Sequence, residues 1–192
     1  ITQGSISASY EDGSTITVLA KNKKEIRSSW WKGRHDLEVR YQISVPQKFS
    51  VELGTAGGDI RLADLDGDAA ARTSSGSVAL GRITGRVQTS DAGGDISIDE
   101  AGGKVEAQTS SGSIHIRKAL SRVQAGDAGG DVRVDAAEGD VEASTSSGSI
   151  TLGTVRGDVS ARDAGGDIQI DSAGGSVNAE TSSGSVKIDV VK

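Results

Sequence analysis

The sequence predicts an all-β fold, a parallel β-solenoid (β-helix) in which coils of about 18 residues stack along one axis. Three observations predict it: an unbroken 18-residue repeat, an alternation of apolar and polar residues inside each repeat, and an unusual composition. The chain has 192 residues, of which 27 are Gly, one is Pro and only 3% are aromatic. Stacked ladders of β-branched side chains fill a core without many aromatic rings, so this composition fits a solenoid.

The repeat begins at Thr55 and continues to the end of the chain without insertion or deletion. Each unit opens on Thr or Asp, and a glycine follows three residues later. The opening residues are Thr55, Thr73, Asp91, Thr109, Asp127, Thr145, Asp163 and Thr181, and the last of these eight units is incomplete. A fixed period of this length indicates units that bury their apolar faces against their neighbours. Residues 55–192 are therefore interpreted as the solenoid and residues 1–54 as an N-terminal β cap, within one structural domain.

Within a unit, apolar and polar residues alternate in two runs, and each run is followed by a turn that contains glycine. This two-residue period predicts two strands per coil, with alternate side chains pointing inward. The first strand supplies inward files represented by Ile96 and Ile98, and the second supplies a Val file such as Val105 beside a small-residue file such as Ala107. Large residues facing small ones predict two closely packed sheets. We expect a right-handed coil, because parallel crossovers within a sheet almost always are right-handed.

The turns alternate between T-S-S-G-S and D-A-G-G-D, so the full pattern recurs only after two units. A coil made of two units would stack Asp91 directly on Asp127, and like charges at strand spacing repel each other. A coil made of one unit instead interleaves each Asp with Thr, which favours the shorter coil. Asp91, Asp127 and Asp163 are predicted to accept hydrogen bonds from amides of their own turns.

The segment that precedes Thr55 breaks the repeat but still alternates as strands do, for example over residues 37–45. Before these lies a basic and aromatic segment that contains both tryptophans of the chain. Two interpretations are open: the aromatic rings cover the end of the first coils, or the segment binds a glycan, phospholipid headgroups or a protein. The candidate ligand-binding residues are Arg27, Trp30, Trp31, Lys32, Arg34 and His35.

Charge is unevenly distributed, and the net charge is −6. Residues 1–54 hold eight Lys or Arg against six acids, whereas residues 55–192 hold thirteen against twenty-one. An acidic rod without a basic groove argues against nucleic-acid binding, which needs clustered cations. The chain has no cysteine and no apolar run long enough to cross a bilayer, so no transmembrane segment is expected. Its first residue is Ile1 rather than Met, which suggests a processed product.

The last unit supplies one strand and then Val190 and Val191, with no polar cap comparable to residues 1–54. An uncovered coil offers unpaired backbone groups and apolar side chains to a similar edge. We therefore expect either a homodimer through the C-terminal coil or a cover made by these two valines.

Two functions of other classes remain as alternatives: a carbohydrate-active β-helix enzyme and a calcium-binding β-roll-like module. Carboxylates such as Asp95 and Asp131 recur with the repeat, whereas a catalytic acid and base need different environments, so no catalytic residues are predicted. The D-A-G-G-D turns resemble a calcium-binding β-roll, but every second unit lacks the motif. His35 and His115 have no ligand-spaced partner, so neither a metal site nor a cofactor is expected.

Residues 41–46 (YQISVP), the following V-E-L, and the repeated G-D-I and S-G-S-I/V units resemble bacterial adhesin-like β-solenoid proteins, a family defined by a domain of unknown function. The resemblance spans nearly the whole chain. It implies an exported bacterial protein of the cell envelope, periplasmic or at the cell surface, and it implies no catalytic residues. The sequence therefore predicts a non-enzymatic, adhesin-like binding and spacing module with a protein or glycan partner at the envelope.

Overall fold

A computed structural model of the chain describes residues 6–11, 15–20 and 48–191. Every regular element in these residues is a β-strand. The strands are β1 (Ile6–Glu11), β2 (Thr15–Ala20), β3 (Ser50–Gly54), β4 (Ile60–Leu62), β5 (Ala69–Arg72), β6 (Val78–Ile83), β7 (Val87–Ser90), β8 (Ile96–Ala101), β9 (Val105–Gln108), β10 (Ile114–Ala119), β11 (Val123–Gly126), β12 (Val132–Ala137), β13 (Val141–Thr145), β14 (Ile150–Val155), β15 (Val159–Asp163), β16 (Ile168–Ala173), β17 (Val177–Thr181) and β18 (Val186–Val191).

These strands form two sheets, and each coil of the solenoid contributes one strand to each. The ten-stranded sheet has the order β1-β2-β3-β5-β7-β9-β11-β13-β15-β17, and the eight-stranded sheet runs from β4 through the even-numbered strands to β18. Only β1 and β2 pair antiparallel among the strands described. Ile96 pairs with Val78 on one side and Ile114 on the other, which are its equivalents in the preceding and following units. The predicted all-β parallel solenoid with 18-residue coils is confirmed.

The core lies between the two sheets and follows the inward files predicted from the sequence. Ile98, Val105 and Ala107 are fully buried, and their equivalents in the other central coils are at most 5% exposed. A third inward file on the first strand of each coil was not predicted, and it consists of Ile83, Ala101, Ala119, Ala137, Val155 and Ala173. It arises because the first strand bends: Asp99 is left out of the strand pairing, while the residues on either side of it are paired. The bend places the next inward residue three positions after Ile98 instead of two.

A buried polar file lines one end of the core, where Thr and Asp alternate from coil to coil. Its members are Thr73, Asp91, Thr109, Asp127, Thr145 and Asp163. Asp127 accepts hydrogen bonds from the amides of Gly129 at 3.0 Å and Gly130 at 2.8 Å, and Asp163 makes the equivalent pair of bonds. Asp91 accepts one such bond, from the Gly93 amide at 3.1 Å. The predicted role of these aspartates in their own turns is confirmed.

The threonines of this file donate hydrogen bonds to the preceding coil, which the aspartates cannot do. The Thr145 hydroxyl accepts from the Gly148 amide at 3.3 Å and donates to the carbonyl oxygen of Gly130, in the preceding coil, at 2.9 Å. Thr109 and Thr181 repeat this donation to the preceding coil. A carboxylate only accepts hydrogen bonds, so it cannot satisfy that carbonyl. The alternation therefore has a second cause beside charge repulsion, because Thr109 and Thr145 each supply a donor between two Asp coils.

The glycine three positions after each Thr or Asp also has a structural cause. None of these glycines has a backbone in the left-handed region, so conformational freedom does not explain them. Instead, a Cβ at Gly112 would overlap the carbonyl group of Gly94, and a Cβ at Gly148 would overlap that of Gly130. The glycine file thus allows the turns of neighbouring coils to approach each other closely.

We expect substitution of two buried threonines by valine to change stability in opposite directions. Thr89 is 2% exposed and its hydroxyl has no hydrogen-bond partner, so Thr89→Val removes an unpaired polar group and should raise the free energy of unfolding by about 1 kcal/mol. Thr145→Val leaves the Gly130 carbonyl and the Gly148 amide without this partner and should lower it by about 1–2 kcal/mol. Urea unfolding followed by circular dichroism measures both. Shifts of the same sign would contradict these assignments.

Candidate binding surfaces

The sequence-predicted ligand-binding segment does not belong to the part of the chain that the structure describes. Arg27, Trp30, Trp31, Lys32, Arg34 and His35 all lie outside the described residues. Whether they cap the first coils or bind a partner stays a prediction. The described solenoid offers four other surfaces, which are the outer faces of its two sheets and the two edges where the chain turns from one sheet to the other.

We call the Asp edge the turns that comprise residues 55–59 and their equivalents up to 181–185. These turns contain no Lys or Arg. Their acidic residues are Asp59, Asp91, Asp95, Asp127, Asp131, Asp163 and Asp167. Four of these, Asp59, Asp95, Asp131 and Asp167, are exposed and recur in every second coil, about 9.6 Å apart at the usual strand spacing. The Asp edge therefore concentrates much of the negative charge of the chain.

Backbone amides hold the exposed aspartates of the Asp edge in place. Asp131 accepts from the Ser149 amide at 2.8 Å, and the Asp131 amide donates to the Ser113 hydroxyl at 3.3 Å. A hydrogen bond from the Ser77 amide, followed by the charge of Arg61, lowers the pKa of the Asp59 carboxyl. Backbone and hydroxyl hydrogen bonds from Ser185 lower the pKa of Asp167. The lowered pKa values keep the Asp59 and Asp167 carboxyls ionised near neutral pH.

We call the ion-pair edge the opposite side of the coils, residues 63–68 and their equivalents up to 171–176, where the strands of the eight-stranded sheet end and turns follow. Here acids and bases of neighbouring coils pair across the 18-residue register. The pairs include Arg82 with Asp64 at 3.4 Å, Arg117 with Asp99 at 3.2 Å, Lys118 with Glu100 at 3.6 Å and Arg156 with Glu138 at 2.7 Å. Each exposed pair contributes little to stability. Their consequence is electrostatic, because these cations are matched by carboxylates of the preceding coil.

One cluster on the outer face of the eight-stranded sheet combines His, Arg and Asp. The His115 ring Nε2 lies 3.0 Å from Asp135 Oδ2, and Arg133 Nε donates to Asp135 Oδ1 at 2.7 Å. Partial burial raises the pKa of the Asp135 carboxyl, but the hydrogen bonds and charges of His115 and Arg133 together hold it below its usual value. The three side chains satisfy one another on an open face, which is the arrangement of a surface charge network.

Two depressions on the described surface are shallow. One of about 500 Å³ lies on the ten-stranded sheet, where the short Ser160 stands between Glu142 and Asn178 in one outward file. Arg122 and Arg162 contribute to its sides. Another of about 430 Å³ lies on the eight-stranded sheet beside Arg61. Both are broadly open to solvent, so neither encloses a ligand.

Metal and membrane features can be assessed for the same residues. Among the described side chains, no group of three or more His, Cys, Asp or Glu is placed to hold a metal ion. The described residues also include no helix that is both long and apolar enough to cross a membrane. Neither observation identifies a binding site among the described residues.

The C-terminal coil differs from the others in exposure. Val186 is 43% exposed, Ile188 40% and Val190 45%. Val190 and Val191 belong to β18 and pair with Ser172 and Ala173 of β16. The expected alternative in which these two valines fold across the end of the solenoid is therefore wrong, because they prolong the sheet.

Comparison with known protein families matches residues 35–152 to the family described as Toastrack DUF4097. The matched region is more than half of the chain and includes the coils from Thr55 to Leu152. The chain belongs to the Toastrack family. No curated protein and no solved structure matches it at a significant level.

Membership in the Toastrack family confirms the coarser part of the sequence-based resemblance, a β-repeat domain of unknown function. It does not name an adhesin activity, a ligand or a compartment. The sequence analysis also missed three features of this Toastrack solenoid: the third inward file, the donor role of the threonines and the ion pairs between coils. The ion pairs carried a signal, since acids and bases recur at equivalent positions of consecutive units along the ion-pair edge.

Proposed function

We propose that this Toastrack chain is a non-enzymatic, adhesin-like binding and spacing module of the bacterial cell envelope, periplasmic or at the cell surface. The observation that supports it best is the uniformity of the described solenoid. Its outer faces repeat every coil or every second coil, and the two depressions described on them are shallow and open. Such a surface displays and separates other groups, whereas most small-molecule sites are concave and enclosed.

The environments of the carboxylates support the non-enzymatic part of this proposal. Asp95 and Asp131 each accept a Ser amide of the next coil at 2.8 Å, and both are exposed. A general acid and a general base need environments that separate their pKa values. Residues in equivalent turns provide equivalent environments, so the repeat works against such a division of roles.

The packing supports a spacing role. The buried residues form one continuous cluster from Phe49 to Ala173, and each coil pairs with the next in both sheets. Stability in such a stack is approximately a sum of neighbouring contacts, and the stack holds its two ends at a fixed separation. A partner bound near the N-terminal region would therefore be held away from the C-terminal coil.

The ligand-binding part of the proposal rests on the segment that contains Trp30 and Trp31. Aromatic rings beside cations bind sugar rings and protein surfaces through apolar contact combined with hydrogen bonds. We assign the partner to the class of envelope glycans or envelope proteins. The resemblance of the sequence to exported bacterial β-solenoid proteins supports the compartment.

Co-sedimentation with purified peptidoglycan sacculi tests binding. We expect wild-type protein to sediment with the sacculi, and the double variant Trp30→Ala, Trp31→Ala to bind at least about tenfold more weakly, as for a dominant aromatic contact. A control double variant, Arg61→Ala with Arg133→Ala, removes two exposed cations of the eight-stranded sheet and should bind as wild type does. Absence of wild-type binding, or equal loss in both variants, contradicts this glycan site.

Three further measurements test the alternative functions and the compartment. Release of new reducing ends from the sacculi by wild-type protein would favour the carbohydrate-active enzyme. A rise of many degrees in the melting temperature with millimolar calcium would favour the β-roll-like module. Fractionation of cells that express the native gene should recover the protein with envelope markers, and recovery with cytoplasmic markers would contradict the assigned compartment.

A further inference from the structure

One file of the ion-pair edge holds three cations in consecutive coils. Each member of this file directly precedes a strand of the ten-stranded sheet, and the members are Asp68, Arg86, Lys104, Arg122, Asp140, Asp158 and Ser176. In the other files of the described coils, two Lys or Arg residues never follow each other directly. Like charges on neighbouring strands repel each other, so this run of cations indicates an interaction that offsets the repulsion.

In other turns of this file, the backbone amide of a residue donates to the equivalent side chain one coil earlier. The Arg86 amide donates to Asp68 Oδ1 at 2.7 Å. The Ser176 amide donates to Asp158 Oδ1 at 2.7 Å, and the Asp158 amide donates to Asp140 Oδ1 at 3.0 Å. A carboxylate from the preceding coil therefore satisfies the amide in each of these turns.

The amides of Lys104 and Arg122 have no such carboxylate. The residue one coil before Lys104 is Arg86, and the residue one coil before Arg122 is Lys104. Guanidinium and ammonium groups donate hydrogen bonds but do not accept them. Two neighbouring coils therefore combine an amide that lacks its usual acceptor with cationic side chains at the same place.

The space beside the Lys104 amide differs accordingly from that of an equivalent turn. At Gly85, the atom nearest to an added Cβ is the carboxylate oxygen Asp68 Oδ1. At Gly103, one coil later, the three nearest atoms all belong to the backbone of the preceding coil. An anionic oxygen supplied from solution would complete this turn as Asp68 completes the earlier one.

We propose that the amides of Lys104 and Arg122, together with the side chains of Arg86, Lys104 and Arg122, form a binding site for a phosphoryl group. Its oxygens accept from the two amides in place of the missing carboxylates, and the three cations balance its charge. The amides belong to neighbouring coils, about 4.8 Å apart at strand spacing, so one phosphoryl group can accept from both. Hydrogen bonds from cations to phosphate oxygens are short and strong. The site is separate from the Trp30 and Trp31 segment and does not rest on the proposed glycan binding.

A bound phosphoryl group must compete with carboxylates that already lie near these cations. The pairs are Lys104 with Glu106 at 2.6 Å, Arg122 with Glu142 at 3.6 Å and Arg86 with Asp68 at 4.0 Å. Exposed pairs of this kind contribute little to stability, so a doubly charged group can displace them. The competition makes a prediction of its own: Glu106→Gln frees Lys104 and should tighten phosphate binding roughly two- to fivefold.

A titration with inorganic phosphate, followed through the backbone amide resonances in NMR spectra, tests the site. At constant ionic strength, the resonances of Lys104 and Arg122 should shift most. Lys104→Asp should bind phosphate at least about tenfold more weakly, because its own carboxylate can accept from the Arg122 amide. The new carboxylate lies between two cations, so this variant should melt no lower than wild type, which separates loss of binding from loss of folding.

Arg156→Asp is the matched control, since it makes the same change of charge on the ion-pair edge two coils away. It should bind phosphate as wild type does. Equal weakening in the two variants, or phosphate shifts that are absent from Lys104 and Arg122, would overturn the proposal.

Vesicles identify the molecule that carries the phosphoryl group. Sedimentation is compared for vesicles of phosphatidylcholine with phosphatidic acid and vesicles of phosphatidylcholine alone. Binding that requires phosphatidic acid and is lost in Lys104→Asp supports the site and assigns it to a lipid headgroup. Phosphate shifts at Lys104 and Arg122 without such vesicle binding support the site and assign it to a soluble phosphorylated ligand. A protein that shows neither response overturns the proposal.

Discussion

Replacing Ile150 by Asp is expected to unfold the central coils of the solenoid under conditions in which the wild-type protein is stable. Ile150 is fully buried and stacks between Val132 and Ile168 in the eight-stranded sheet. A carboxylate at this position would lie in an apolar core without a partner, at a cost of about 4 kcal/mol or more. Urea unfolding followed by circular dichroism should show the midpoint falling steeply.

The neighbouring residue supplies the control for this change. Thr151 points outward in the same strand and lies beside Arg133 of the previous coil. Thr151→Asp introduces the same carboxylate into solvent, and we expect the free energy of unfolding to stay within about 0.5 kcal/mol of wild type. Because coils contact only their neighbours, Ile150→Asp should also broaden the transition as the two halves of the stack unfold separately. Equal midpoints for the two variants would mean that the inward and outward faces have been exchanged.

Adding a single methyl group at Gly148 is expected to destabilise the solenoid almost as strongly. A Cβ at this position would overlap the carbonyl group of Gly130 and lie 2.9 Å from the amide nitrogen of Asp131. Both obstacles are backbone atoms of the preceding coil, so no side chain can rotate away. Gly148→Ala must therefore separate two coils locally, and we expect a loss of about 2–3 kcal/mol, typical of overpacking.

Gly126 provides a matched comparison in the same part of the molecule. A Cβ there would find its nearest neighbour, the Ser144 hydroxyl, at 3.5 Å, which is ordinary contact. Gly126→Ala should be neutral or stabilising by up to about 1 kcal/mol, because alanine restricts the unfolded chain. Thermal unfolding of the two variants in parallel gives the difference. A Gly148→Ala protein that melts with wild type would contradict the close approach of the turns.

The repeat made much of the fold predictable, because each structural role occurs in several coils. The position of Ile96 between Val78 and Ile114 follows from the period together with the interleaving of Asp and Thr turns. The inward role of Ala101 was missed, since a strict two-residue alternation does not anticipate the bend at Asp99. The donor role of the threonines was missed because sequence shows which residues alternate but not which carbonyl lies within reach.

The candidate binding site was far less predictable than the fold. Trp30 and Trp31 occur once each, outside the repeat, so no second copy of the pattern shows whether they face a coil or a partner. The exposed apolar side chains of the C-terminal coil, Val186 and Ile188, were easier to predict, because the inward files of the earlier coils extend to them. The structure was needed only to show that Val190 and Val191 continue β18 and pair with β16.

The order of Thr and Asp coils limits how such a rod can change its length. Two Thr coils can follow each other, because Thr73 donates to the Gly58 carbonyl at 3.3 Å although that preceding coil opens on Thr55. Duplicating an Asp coil alone would instead stack one buried carboxylate directly on another. Rods of this design should therefore gain or lose each Asp coil together with a Thr coil, a step of about 9.6 Å.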